Sequence, residues 1–329
     1  MQRCIIKRGD MTTRKKKQED WTLHIGCVLV GLTTSYWRAT KKDKEKTAQV
    51  CRELGTTSKW GSLTKRIIDK DELKEIGRIC TSTSNYLKGT SPGRFDGEFI
   101  PGGLVPWDGK GTYICPNALS QKVGANLEAA KEAFDLELQK LKDRLPSALD
   151  EARYESGQLF NEADVPDVDS IIGNKFGFSW TQLPVPHASQ VQTREHHDPR
   201  HQLSKAVLDR MKDRMETGAS DKLEEMAQRS VKTLLDVVGH FAERCEVYDP
   251  DKKSEAPFRD NTVDKVRQLV PVIRAMNITN DAQIDKAAND LMGILGNHSA
   301  EELRKSGDAR ADAAQRARKV ADNIDKLFS

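Results

Sequence analysis

The stretch NALSQKVGANLEAAKEAFDLELQKLKDRL, residues 117–145, decides the fold because its apolar side chains recur every three or four positions. This is the spacing of the buried stripe of an α-helix, continued over about 40 Å of helical rise. The stripe consists of Leu119, Val123, Leu127, Ala130, Phe134, Leu138, Leu141 and Leu145. Asn117 is the expected N-cap, and Pro146 is expected to end or kink the helix before a second helix over 147–160.

Similar stripes occupy the rest of the chain. A second long pattern runs from Leu203 to Cys245, and its natural partner is the stripe of residues 119–145. Shorter stripes follow over 263–328, where Pro271 should kink one helix and Ser299 with Glu302 forms a capping box for the last. The sequence therefore predicts a mainly α fold, a bundle of long helices.

The N-terminal part has a different character. The runs HIGCVLVGLTTSYWRAT (24–40) and LTKRIID (63–69) read as two strands around a short helix over 43–54, a small α/β element. Residues 89–113 hold seven glycines and three prolines and predict a loop. FGFSWTQLPVP, near 174–186, is expected to be a short hairpin or extended connector. The predicted regions are a mobile basic tail (1–20), the α/β region (21–115), a long-helix arm (116–250) and a C-terminal helical layer (251–329).

Bulk composition excludes several classes of protein. The chain has 329 residues, 37% of them hydrophobic, which suffices for a packed core. Its longest apolar run, residues 27–32, is far shorter than the roughly 20 residues that cross a bilayer. The basic N-terminus has no apolar signal segment, and Met11 is a second candidate start. The six cysteines lie at least 23 residues apart, which excludes CxxC sites and favours reduced, cytoplasmic thiols.

Charge is distributed unevenly along the chain. Residues 1–94 carry 21 Lys and Arg against 10 Asp and Glu, whereas the remainder carries 32 against 40. A candidate nucleic-acid site combines cations with aromatic rings and comprises Arg38, Lys41, Lys42, Lys65, Arg66, Trp37 and Trp60. The alternative is a solvated edge strand that lysines protect from aggregation, with the tryptophans in the core.

Two clusters could bind metal, and both have a structural interpretation that we favour. Glu162, Asp164, Asp167 and Asp169 lack the spacing of a calcium loop, so a proline turn with Asp167 or Asp169 as helix cap is expected. His196, His197 and His201 surround Pro199, which indicates a polar loop. No phosphate-loop, hydrolase or metalloprotease motif is present. We therefore expect a non-enzymatic protein without metal or cofactor.

Several segments resemble one family of proteins from tailed phages and plasmids, which is defined by a domain of unknown function. The segments are VLVGLTTSYWRATKK (28–42), SLTKRIIDKDELKEI (62–76), LFNEADVPDVDSIIGNKFGFSWTQLPVP (159–186), FRDNTVDKVRQLVPVIRAMNITNDAQI (258–284) and EELRKSGDARADAAQRARKVADNI (301–324). They cover most of the chain from residue 21 onward. The chain departs from the family in a longer glycine-rich loop over 89–111 and in Val165, where an aromatic residue is common.

The resemblance implies a mobile-element origin and a partner, because such proteins are often encoded near MoxR-class AAA+ ATPases of the cobaltochelatase type and near von Willebrand A proteins. It implies no catalytic residues. The leading hypothesis is an adaptor or substrate of an AAA+ machine in the cytoplasm of an infected cell. Its recognition surfaces would be the long helices, with Phe134 and Leu138 as candidate contacts for a partner or a second copy. The alternative is a DNA- or RNA-binding protein that uses the basic N-terminal third.

Overall fold

The computed structural model describes residues 24–93, 99–191, 204–249, 258, 260–278, 280–295 and 299–328. The tail predicted over 1–20 and the histidines His196, His197 and His201 lie outside these residues. The strands are β1 Cys27–Ser35, β2 Thr40–Asp43, β3 Leu63–Arg66, β4 Val105–Pro106, β5 Thr112–Pro116 and β6 Gly177–Pro184. The helices are α1 Lys44–Glu53, α2 Lys74–Leu87, α3 Asn117–Ser156, α4 Val168–Lys175, α5 Lys205–Val247, α6 Asp260–Met276, α7 Ala282–Leu295, α8 Ala300–Lys305 and α9 Gly307–Phe328. The predicted mainly α fold with long helices is confirmed.

The β structure is more extensive than the sequence indicated. Strands β2 and β3 pair around α1 and form a separate two-stranded ribbon. The predicted first strand, over 24–40, instead contains β1, which belongs to the larger sheet and does not pair with β3. The other four strands form an antiparallel sheet in the order β4-β5-β1-β6, which was not predicted. The expected connector near 174–186 contains β6, which pairs with β1 from Ser35↔Gly177 to Val28↔Pro184. The pairing of β1 with β6 could not be predicted from local sequence, because the two strands are distant along the chain and strand formation depends on its neighbours.

Helix α3 continues through Pro146, where the sequence predicted an end or a kink with a second helix. A proline inside a helix costs roughly 3 kcal/mol through a lost hydrogen bond and a steric clash. Leu145 and Leu149, on either side of it, are both buried, and burial of one leucine contributes about 1.5–3 kcal/mol. Packing on both sides therefore outweighs the local cost, and residues 117–156 form a single helix.

The larger sheet is covered on both faces by long helices. On one face, the ring of Phe178 in β6 lies 5.5 Å from the ring of Phe134 in α3. On the other face, α5 contributes to a core formed by Cys27, Leu29, Val105, Ile114, Val185, Ala219, Leu223 and Met226. The stripes of α3 and α5 therefore pack on opposite sides of the sheet, and the expected direct pairing of these two stripes is wrong. The sequence indicated β1 as a strand but gave no sign that it is the centre of a sheet between these two helices.

The C-terminal helices share a second core with the end of α5. One buried cluster joins α6, α7 and α9 to the end of α5, which contributes Val231, Leu234, Val238 and Phe241. Ser299 acts as a helix N-cap by accepting a hydrogen bond from the amide of Glu302, as predicted, but it caps the short helix α8 and not the last helix. The chain then divides into α8 and α9 at Ser306, whose hydroxyl accepts from the amide of Ala309. None of the described helices is both long and apolar enough to cross a membrane.

The described part of the glycine-rich loop is fixed between α2 and α5. The amide of Leu104 donates to the carbonyl of Leu87 at 2.8 Å. The guanidinium of Arg229 donates to the carbonyls of Gly102 and Leu104 at 3.3 and 3.1 Å. At Gly103, whose φ is +69°, a Cβ atom would lie 2.2 Å from a backbone carbon of Lys88. Glycine is required there by both the conformation and the close approach of two backbones.

Candidate nucleic-acid interface

The β2–β3 ribbon leaves the main core between buried side chains at its base. Four side chains at this base belong to the core that includes α2 and α3. They are Trp37 and Ala39, which precede β2, and Ile67 and Ile68, which follow β3. The amide of Ile67 donates to the carbonyl of Ala39 at 2.7 Å. This bond continues the strand pairing into the core. The orientation of the ribbon relative to the rest of the protein is therefore set by its base.

One face of the ribbon, which we call the inner face, carries an ion-paired lysine cluster. Lys41 lies directly opposite Lys65, and like charges in this position are destabilising. Asp164 offsets the repulsion, because its carboxylate lies 2.6 Å from the Nζ atom of each lysine. Lys65 also donates to the carbonyl of Leu159 at 2.9 Å. The hydrogen bonds from Lys41 and Lys65 lower the pKa of Asp164 from its usual value.

The opposite face of the ribbon, the outer face, consists of Thr40, Lys42, Thr64 and Arg66. In the pairing, Thr40 lies opposite Arg66 and Lys42 opposite Thr64, so all four side chains share one face by strand alternation. All four are exposed. Within the described residues, neither Lys42 nor Arg66 forms an ion pair, in contrast to Lys41 and Lys65. Their charges are available to an external anion.

The four ribbon cations, which the sequence presents as one group, lie on two opposite faces of the ribbon. The signal that could have separated them is the alternation of neighbouring residues in β2 and β3. Arg38, the remaining predicted cation, lies two residues before β2 and is exposed. No ion pair involving Arg38 is found in the described part of the chain. The candidate interface therefore retains Arg38, Lys42 and Arg66, whereas the other two lysines bind an internal carboxylate.

The two tryptophans predicted to stack on bases have opposite environments. Trp37 is only 9% exposed and packs in the core, so its ring is not accessible to a ligand. Trp60 is 80% exposed and lies on the loop between α1 and β3. The amide of Trp60 donates to the carbonyl of Thr57 at 3.0 Å, and the Nζ atom of Lys59 lies 5.8 Å from the centre of its ring. Of these two tryptophans, Trp60 is the one that can offer a ring face to solvent.

The residues predicted to contact a partner protein belong to the core. Phe134 is 1% exposed, and Leu138 is half-buried against the same cluster. A partner or a second copy of the chain could reach Phe134 only if α3 separated from the sheet. The apolar stripe that predicts the helix is thus internal packing, and the predicted contact through Phe134 does not fit the structure.

The acidic stretch before β6 forms structural contacts. Glu162 pairs with Arg153 at 2.6 Å. Asp167 caps α4 by accepting from the amide of Ser170 at 3.0 Å, as predicted. Together with Asp164, these residues hold the turn against the ribbon and the end of α3. Among the described residues, no group of three potential ligands is placed to hold a metal ion.

A cavity of about 530 Å³ lies between the end of α5 and α9. Its charged groups already have partners: Arg318 donates to Glu246 at 3.1 and 3.0 Å. The guanidinium of Arg310 lies 5.0 Å from the ring of Tyr248 and donates to two backbone carbonyls. Burial raises the pKa of the Cys245 thiol to about 12, which keeps this thiol protonated near neutral pH. The cavity therefore presents no activated nucleophile.

Comparison with known proteins adds no further residues to this site. No protein-family model, no curated protein and no solved structure matches the chain. The interface is accordingly interpreted from its own geometry and charge.

Proposed function

We propose that the protein binds nucleic acid through the outer face of the β2–β3 ribbon and acts by binding, not by catalysis. The observation that supports this is the division of the ribbon cations. Lys41 and Lys65 both form ion pairs with Asp164 at 2.6 Å, whereas Lys42 and Arg66 are exposed and have no acidic partner among the described residues. Unpaired cations on an exposed strand face are suited to phosphate oxygens, and arginine can bind a phosphate through two parallel hydrogen bonds.

The remaining groups of the outer face match the same chemistry. Thr40 lies opposite Arg66 and Thr64 lies opposite Lys42 in the strand register, and threonine hydroxyls commonly donate to phosphates. With Arg38, three cations are available, which predicts a slope of about −2 for log affinity against log salt on a single strand. The excess of 21 basic over 10 acidic residues in positions 1–94 adds long-range attraction for a polyanion.

The role as an AAA+ adaptor rests on the family resemblance alone. Such a partner, or a second copy of the chain, would need a surface other than the apolar stripes, because Phe134 is buried under the sheet. We place the protein in the cytoplasm of the infected cell, where nucleic acid is accessible and buried thiols such as that of Cys115 remain reduced. Copurification with a MoxR-class AAA+ ATPase tests the adaptor role independently of nucleic acid.

The proposal is tested by charge reversal on the full-length protein. Fluorescence anisotropy with a labelled oligonucleotide, between about 50 and 200 mM salt, compares wild type with the double variant Lys42→Glu, Arg66→Glu. The matched control is Lys319→Glu, Lys326→Glu, two exposed lysines on α9 that give the same change in net charge. We expect the ribbon variant to bind at least about tenfold more weakly and the control to bind like wild type. Absence of wild-type binding at low salt, or an equal loss in both variants, overturns the proposal.

A further inference from the structure

We infer that the ligand of the ribbon is single-stranded nucleic acid and that one of its unpaired bases stacks on Trp60. This inference rests on the proposed function and specifies the form of its ligand. It combines two features of the segment over residues 40–66, which contains β2, α1 and β3 and which we call the lobe. These features are the unpaired cations of the outer face and an exposed indole ring on the loop that leads directly into β3.

The exposure of Trp60 is unusual for so large an apolar side chain. Its ring is 80% exposed, although tryptophan is among the residues that are most buried on average. Trp60 also lies only three residues before the first residue of β3, Leu63. The ring is therefore within a few residues of Thr64 and Arg66, whose side chains form part of the outer face. Because Trp60 and Thr64 are four residues apart, their Cα atoms are separated by at most about 14 Å, a distance over which an oligonucleotide bound to the outer face would extend.

Lys59 supplies a positive charge beside the ring, which is complementary to the phosphate of a nucleotide. Its Nζ atom lies 5.8 Å from the ring centre of Trp60, and no acidic partner of Lys59 is found among the residues described. A nucleotide presents a flat base joined to a phosphate, and sites that bind single strands combine an aromatic platform with nearby cations. Lys59 and Trp60 place these two elements on adjacent residues.

A base-paired duplex does not use this arrangement equally well. In a duplex the faces of the bases are stacked on one another, and only their edges are accessible in the grooves. The outer face could still contact duplex phosphates through Lys42 and Arg66, but Trp60 would have no base face to stack on. The exposed ring thus favours a ligand whose bases are unpaired.

The first experiment compares three single variants of the full-length protein on a labelled single strand, on the matched duplex and on polyphosphate. Trp60→Ala removes the platform, and Trp60→Phe keeps an aromatic face. Leu54→Ala removes another exposed apolar side chain of the same lobe, 74% exposed, that has no aromatic face. We expect Trp60→Ala to weaken single-strand binding about 5- to 100-fold and to leave duplex and polyphosphate binding unchanged. Trp60→Phe should retain most of the affinity, and Leu54→Ala should bind like wild type.

A spectroscopic measurement reports the stacking itself. The chain contains five tryptophans, so the fluorescence of wild type is compared with that of Trp60→Phe before and after addition of the single strand. We expect quenching in wild type that is absent in the variant. Quenching of equal size in both proteins contradicts a base on Trp60.

The outcomes separate this inference from the proposed function. Loss of binding in the Lys42→Glu, Arg66→Glu variant with no effect of Trp60→Ala leaves nucleic-acid binding in place and overturns the stacking. Equal losses on single strand and duplex also overturn it. If Leu54→Ala weakens single-strand binding as much as Trp60→Ala, the binding depends on exposed apolar side chains and not on an aromatic face, and base stacking is again wrong. If wild type binds no nucleic acid, both proposals fail.

Discussion

Replacing Lys42 and Arg66 together by glutamine removes both outer-face cations of the ribbon and leaves the inner-face ion pairs intact. Each phosphate contact on a single strand contributes about 0.7 to the slope of log affinity against log salt, so the slope should fall by about 1.4. The starting value for three cations is about 2. Both side chains are exposed, so the free energy of unfolding should change by less than about 0.5 kcal/mol.

The reciprocal variant replaces Lys41 and Lys65 by glutamine and makes the same change in net charge. These lysines face Asp164 at 2.6 Å and point away from the outer face, so the salt slope should remain that of wild type. Stability should fall instead, because the Asp164 side chain, only 14% exposed, loses both cationic partners. Anisotropy titrations over a range of salt and thermal unfolding by circular dichroism measure the two effects separately. If both variants lower the slope equally, binding follows net charge and the distinction between the faces is refuted.

Three further predictions concern the scaffold. The lysine partners of Asp164 lower the pKa of its carboxyl group in the folded protein. The stability that this carboxylate contributes is therefore present above the unfolded pKa of about 3.9 and is lost as pH falls through the lower folded pKa. Acid unfolding should show this loss in wild type but not in Asp164→Asn. Gly103→Ala, whose Cβ would lie 2.2 Å from a backbone carbon, should cost about 2–4 kcal/mol in urea unfolding. Gly109→Ala, at φ +71° in open space, should cost only about 1 kcal/mol. Phe134→Ala, at 1% exposure, should cost about 3–5 kcal/mol, whereas Leu136→Ala, at 59%, should change stability by less than about 0.5 kcal/mol; an unchanged Phe134 variant would place that ring outside the core.

The long helices could be predicted because their signal is local and repeated. The stripe from Leu119 to Leu145 repeats the same spacing over seven turns of α3, and Asp167 and Ser299 are recognisable helix caps. The helix end expected at Pro146 is wrong because the local rule for proline does not include the leucines that pack on both sides of it. Tertiary packing decides whether a helix continues through such a residue.

The larger sheet could not be predicted in the same way. β5 is a five-residue run, Thr112–Pro116, that directly follows a glycine-rich loop, and β6 lies more than 140 residues after the β1 strand that it pairs with. Neither segment is long enough for its period to stand out, and the pairing depends on residues that are distant in sequence.

The candidate site was predicted in composition but not in arrangement. Arg38, Lys42 and Arg66 are exposed as the nucleic-acid hypothesis requires. The role of Asp164 was missed, because nothing in its neighbourhood indicates that two lysines more than 90 residues earlier will surround it. For the same reason, the sequence predicted a common stacking role for Trp37 and Trp60. In the structure Trp37 is buried in the core, whereas Trp60 is exposed to solvent.

Backbone hydrogen exchange, measured with and without a short single-stranded oligonucleotide, tests most directly whether the outer face of the ribbon is the binding surface. We expect exchange to slow at residues 38–43 and 59–66 and to remain unchanged in α3 and α9 when the ligand is added. If the oligonucleotide binds and the slowed amides lie elsewhere in the described structure, while those of the ribbon exchange as in the free protein, the assignment of the interface is contradicted.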